Sequence, residues 1–255
     1  MLESLTPEIW LLVAMFGVAV LAGFIDSIAG GGGLVMMPAL LAAGLPPHLA
    51  IGTNKLQSLF GTSMSCWNYW KGGLVDVRGN LPLVALVFCG SVLGAVLVQQ
   101  VDAGVLRYIV PVFLIGMAAY VILSPRMTDE DAQERLSRKG YAPVAGSIAF
   151  YDGFFGPGTG QFFTTSLVGL RGHGLTRATG NAKLLNATTN WAAVLIFAVG
   201  GKVVWILGFT MAAGAMLGGY IGSHFAMRHG AKIIRPLMIV ASLGLTAKIV
   251  WDMLA

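Results

Sequence analysis

Apolar runs of bilayer-crossing length recur from one end of this chain to the other, and no other feature constrains its fold as strongly. Most of them reach the roughly 18–20 residues a helix needs to span the hydrocarbon core. Only 11% of the 255 residues are charged, where a soluble domain uses roughly a quarter. The pattern predicts an all-α polytopic membrane protein. The first run, Ile9 to Ile25, has no basic residue before it, only Glu3 and Glu8. Many further spans follow it, so it reads as a membrane helix and not as a cleaved signal peptide.

Five apolar segments precede a polar linker: Ile9–Ile25, Leu34–Ala43, Leu49–Trp70, Leu81–Gln99 and Val105–Leu123. Five follow it: Tyr141–Phe155, Gln161–Leu170, Ala178–Val199, Val203–Met227 and Ile233–Leu254. The linker, Ser124 to Gly140, carries eight charged residues and reads as a solvated cytosolic helix joining the two sets. The sets match each other. Phe24-Ile25-Asp26 aligns with Phe150-Tyr151-Asp152, Gly30 and Gly32 with Gly156 and Gly158, and Thr53 with Thr179, each pair 126 residues apart. At a spacing of 128, Lys55-Leu56 meets Lys183-Leu184, Gly90 and Gly94 meet Gly218 and Gly222, and Arg107 meets Arg235. A duplicated hydrophobic unit marks many secondary transporters. The expected organisation is a first repeat over 1–123, a linker over 124–140 and a second repeat over 141–255.

The orientation of the repeats turns on the short second segment. Leu34–Ala43 makes a helix of only ~15 Å at 1.5 Å per residue, against a core of ~30 Å. If it dips in and returns, each half crosses four times and the halves are parallel. The loop Lys and Arg then divide six inside to eight outside. If it completes a crossing, each half crosses five times and the halves are inverted. With the N-terminus outside, the division becomes eleven inside to three outside, the bias expected of inner-side positive charge. The preferred reading is ten segments in two inverted halves, with both termini periplasmic. Eight crossings plus two re-entrant hairpins is the rival.

Gly30-Gly31-Gly32-Gly33 separates two short apolar segments, as does Gly156-Pro157-Gly158-Thr159-Gly160. Unwound backbone at membrane depth is tolerated only inside protein or beside a watery cavity. The broken ends expose helix N-terminal amides, which suit an anion. Paired interrupted helices in matching halves point to a transport site; close helix packing is the plainer reading of a glycine run. The spaced pairs Gly90/Gly94 and Gly218/Gly222 are assigned to packing alone.

The third segments add polar groups: Thr53, Asn54, Lys55 and Gln57 in one half, Thr179, Asn181, Lys183 and Asn186 in the other. An ammonium in hydrocarbon must snorkel, pair or face water. Matched placement of Lys55 and Lys183 favours a shared cationic pocket for a small anion, with the amides supplying hydrogen bonds. Asp26 and Asp152 border the glycine runs. Each either caps local amides and neutralises its lysine, or takes up a proton during transport. The substrate-binding set is therefore Gly30, Gly31, Gly32, Gly33, Thr53, Asn54, Lys55, Gln57, Gly156, Gly158, Gly160, Thr179, Asn181, Lys183 and Asn186, with Asp26 and Asp152 as proton-coupling candidates.

Other classes fit less well. No G-x-S-x-G, HExxH or nucleotide-binding loop is present, and Asp26 and Asp152 mimic an aspartyl pair only loosely. The net charge of +5 sits in short loops and orients the chain in a bilayer, so no nucleic-acid partner is expected. The four histidines form no metal-ligand spacing. Cys66 and Cys89, without a CxxC context, read as buried small hydrophobes. No cofactor or metal is expected. Trp10, Trp67, Trp70, Trp205 and Trp251 near segment ends suit an interfacial belt.

The motifs Gly23 to Gly33, Gly52-Thr53-Asn54-Lys55, Tyr151 to Gly160 and Asn181 to Asn186 resemble those of the TauE/SafE family of sulfite-exporter-type permeases, and the resemblance covers nearly the whole chain. It implies secondary transport of a small sulfur-containing anion such as sulfite, thiosulfate or a sulfonate, in a bacterial inner membrane. A carboxylate substrate, a non-transporting accessory or scaffold role, and a homodimer stay open. Pro157 and Thr159 interrupt the second glycine run and predict an unequal site.

Overall fold

The computed structural model describes residues 8–102, 104–106, 112, 116 and 128–230. Eight helices lie in that range: α1 (Ile9–Ala29), α2 (Gly32–Ala42), α3 (Pro47–Lys71), α4 (Val77–Val98), α5 (Arg138–Phe154), α6 (Thr159–Arg171), α7 (Leu175–Val199) and α8 (Trp205–His229). The tenth apolar segment, most of the fifth, and Arg107 and Arg235 lie outside the described residues. Four helices, α1, α4, α7 and α8, are long and apolar enough to cross a membrane. α3 is as long as α7 at 25 residues but is too polar to count, because it carries the Thr-Asn-Lys-x-Gln run inside the bundle. α2 and α6 have 11 and 13 residues, about 16 and 20 Å of helix.

α3 and α7 pack against each other at the centre. α1 and α8 flank one side and α4 and α5 the other, while α2 and α6 fill the space between. Small residues set these contacts. A Cβ added to Gly94 on α4 would lie 2.7 Å from the Phe154 nitrogen on α5, and one on Gly222 of α8 would lie 2.6 Å from the Phe24 carbonyl oxygen on α1. Gly90 and Gly218 meet the same partner helices. The packing role expected of these four glycines holds, because helix backbones approach this closely only where no Cβ intervenes.

The helix ends follow local chemistry. Asp76 caps α4 by accepting from the Gly79 amide at 2.8 Å, and Ser137 caps α5 by accepting from Gly140, the usual N-cap arrangement. The Trp67 and Trp70 rings contact each other, and the Lys71 ammonium lies 4.8 Å from the Trp67 ring centre. This cluster at the end of α3 is exposed.

Two expectations need correction. Residues 128–137 of the linker are not helical, and 138–140 already belong to α5; the non-helical part is a strap laid along the α6–α7 turn. Ala132 donates to the Gly172 carbonyl, Leu136 donates to Leu170, and Leu175 donates to Thr128. Two of its acids bind that turn. Asp129 accepts from the Thr176 amide and Asp131 from the Gly174 amide, which favours an extended strap over a free helix. The cysteines are not both buried either. Cys66 is half-buried and Cys89 is exposed, on a face of α4 that is open to lipid.

Candidate functional site

The two glycine breaks meet backbone on backbone. α1 ends at Gly30, whose φ of 78° is left-handed, and α2 restarts two residues later. In the second break Gly156 and Gly158 have φ of 98° and 84°. A Cβ on Gly160 would lie 2.7 Å from the Gly30 Cα. Glycine is required here twice over, by the positive φ at Gly30 and by the crossing itself.

Four ionisable side chains surround this crossing and pair across it. Lys55 Nζ lies 2.7 Å from Asp152 Oδ1, and Lys183 Nζ lies 2.8 Å from Asp26 Oδ2. Each aspartate thus binds the lysine from the other side of the linker, not the one next along the chain. Snorkelling is ruled out by burial: the Lys55 and Lys183 side chains are 2% and 1% exposed. The two pairs are unequal. Asp26 is held from several sides: Oδ1 accepts from the Gly32 amide at 3.2 Å, and Lys183 donates to both Oδ2 and the Asp26 carbonyl. Asp26 therefore caps α2 and neutralises a lysine at once. Asp152 is 1% exposed, yet its Oδ2 has no partner among the described residues.

Amides complete the site. Gln57 donates to Asn54 Oδ1 at 3.2 Å, while its own Oε1 is unpartnered. Asn190 links Asn186 Oδ1 to Thr62 Oγ1 across the α3–α7 interface. Asn54 Nδ2 lies 3.5 Å from where a Gly33 Cβ would be, and Asn186 Nδ2 lies 3.3 Å from that of Gly160. The structure therefore gathers Gly30, Gly31, Gly32, Gly33, Asn54, Lys55, Gln57, Gly156, Gly158, Gly160, Lys183 and Asn186 with Asp26 and Asp152. Three expected residues stand elsewhere. The Thr53 hydroxyl accepts from the Val204 amide, and the Thr179 hydroxyl donates to the Leu175 carbonyl. Asn181 ties α7 to the α3–α4 turn, accepting from Asn80 and donating to Leu74. Gln161, on the first turn of α6, was not expected. It is fully buried, and neither end of its amide has a partner among the described residues. Its only sequence signal is its place directly after Gly160.

Asn181 instead borders a polar cavity of about 230 Å³ beneath the strap. There Arg171 pairs with Glu134, Arg177 with Asp131 at 2.9 Å, and Arg138 with Asp76. The Gly174 amide, aided by Arg177, holds the Asp131 carboxyl below its ordinary range. Burial, reinforced by Arg177 and Arg171, holds the His173 imidazole below its own.

The model of the sulfite exporter TauE/SafE family matches residues 15–249. The chain belongs to that family. It is 45% identical to the probable membrane transporter protein YfcA of Escherichia coli K12 over 243 residues, 95% of this chain and 90% of that one. It is 43% identical to the probable membrane transporter protein ORF9 of a Sinorhizobium species, over 95% of this chain and 93% of that one. YdhB of Bacillus subtilis, also named a probable membrane transporter protein, is 25% identical over 219 residues. No solved structure matches significantly. As a TauE/SafE member the chain is a multi-pass transporter of the bacterial inner-membrane type and not an enzyme. Its long helices supply the spans, and the buried Lys55, Asp152 and Lys183 lie at its glycine crossing.

Proposed function

We propose that this chain is a secondary transporter exporting a small sulfur-containing oxyanion, such as sulfite, thiosulfate or a sulfonate, by alternating access between two inverted repeats. The repeats are residues 1–123 and 141–255, joined by a cytoplasmic strap, with both termini periplasmic. The helix packing supports this division. α1 lies on α8 as α5 lies on α4, and α3 on α8 as α7 on α4, the exchange that a pseudo-two-fold axis relating the two repeats generates. Lipid, or a second copy of the chain, covers the exposed apolar faces of α1 and α4.

One observation carries the reading: two buried lysines at the crossing of two broken helices, each paired with an aspartate from the other repeat. With both pairs closed the four charges cancel, and an anion finds no net attraction beyond the helix amides. Protonation of one aspartate frees its lysine. Asp152 is the one suited to this, since its Oδ2 makes no bond that a proton would break. Asp26, which also caps α2, is the fixed member. Proton uptake at Asp152 then recruits the anion to Lys55, and the neutral assembly of carboxyl, ammonium and anion crosses as the repeats rock, outward when the anion's own outward gradient exceeds the opposing proton gradient. Relative motion of the repeats closes one side before opening the other.

Flux of labelled sulfite in proteoliposomes under an imposed pH gradient tests this. Wild type accumulates sulfite along the proton gradient. Lys55→Ala and Lys183→Ala abolish the flux. Asp152→Asn leaves flux that no longer follows pH. Lysine variants that transport like wild type would overturn the site, and transport of a carboxylate in place of sulfite would overturn the substrate class.

A further inference from the structure

The geometry points to Gln161 as the residue that selects the transported species, binding an oxyanion that carries one O–H through both ends of its carboxamide. This rests on the anion-transport reading above and assigns the hydrogen bonds within it.

Gln161 is 0% exposed, and both its Nε2 and Oε1 lack any partner. A buried amide left unsatisfied costs about 1–3 kcal/mol per group, so such a residue is kept for something it binds. The ordinary structural explanation fails. A Gln at the third helical position usually reaches back to the amide of the N-cap residue. Gln161 holds that position in α6, whose N-cap is Gly158, but its side chain makes no such bond. It points across the crossing: its Nε2 lies 3.1 Å from where a Gly31 Cβ would be, and Gly31 is the N-cap of α2. An unpartnered amide thus faces the positive end of a second broken helix. The third position of α2 is Leu34 and the residue 126 positions before Gln161 is Val35, so this feature has no twin and makes the site one-sided.

The two free ends set the ligand. Nε2 donates to an oxyanion oxygen; Oε1 can only accept, so it demands a hydroxyl. A fully ionised oxyanion fills the first and leaves the second empty, whereas a singly protonated one such as hydrogensulfite fills both. Lys55 supplies the charge and Gln161 reads the protonation state.

The test compares thermal unfolding of the purified full-length protein and its Gln161→Leu variant. Both are titrated with sodium bisulfite and with sodium methanesulfonate in the same mildly acidic buffer at fixed ionic strength. Wild type is stabilised by bisulfite at about tenfold lower concentration than by methanesulfonate, the discrimination expected of one unmet buried hydrogen bond. Gln161→Leu unfolds at the same or a higher temperature without ligand, since an unsatisfied amide has been removed, and the preference vanishes. Should it not fold, Gln161→Met, close in shape, carries the same test. A variant that keeps the preference, or a wild type without one, overturns the assignment alone. A wild type that responds to neither anion overturns the anion-transport reading beneath it.

Discussion

At the residue scale, the ion pairs carry opposite consequences for stability and for transport. Removing one member of a buried pair strands a charge in low dielectric and costs roughly 3–5 kcal/mol. Lys55→Met alone should therefore lower the unfolding midpoint markedly. The double variant Lys55→Met/Asp152→Leu, which removes both charges at a site where both side chains are 2% exposed, should recover most of that loss. It should still carry no sulfite, and a vesicle assay beside a melting curve reads both. The four ionisable residues were legible in the sequence because matched positions in two halves drew attention to them. Which aspartate meets which lysine was not. That pairing joins residues on opposite sides of the linker and depends on how the helices cross. Gln161 was invisible for a related reason: an amide stands out only once its surroundings fail to bond it.

At the scale of elements, the glycine crossing and the strap behave differently. Gly30→Ala meets both a left-handed φ of 78° and the backbone of Gly160. Strain and overpacking together should cost about 3 kcal/mol or more. Gly17→Ala on the same helix has nothing within 4 Å of the added carbon and should be neutral or slightly stabilising, so paired melting curves separate break from helix. The strap should respond to acid. His173 is held below its ordinary value, so the unfolded chain binds a proton first as pH falls below about 6.5. Stability then falls until the folded imidazole also titrates. Asp131, depressed by the Gly174 amide and Arg177, contributes above the ordinary carboxylate range and loses that contribution as pH falls through its folded value. His173→Gln should flatten the first of these losses in melting curves taken across pH 5 to 7. The helix spans were readable from run length to within a few residues. The strap was not, because its conformation comes from amides at the start of α7, 40-odd residues further along, and not from its own composition.

At the scale of the whole molecule, the count of crossings is open to a direct check. Five crossings per half put the linker and the N-terminus on opposite faces of the membrane; four per half put them on the same face. Single cysteines at Gln133 and near the N-terminus, in a chain lacking Cys66 and Cys89, should react with an impermeant maleimide from opposite sides of oriented vesicles. Labelling from one side would select the re-entrant rival. The balance of basic residues gave the same preference, because loop charge is read along the chain and needs no knowledge of packing.

The crossed pairing of Lys55 with Asp152 and Lys183 with Asp26 also bears on biogenesis. A ribosome that has released only the first five segments has delivered a lysine and an aspartate to the membrane without either counterion. That portion must linger at the insertion machinery, or beside water, until the remainder arrives to quench both charges. Two fragments divided at the strap and made together should rescue each other, while either one made by itself should be degraded.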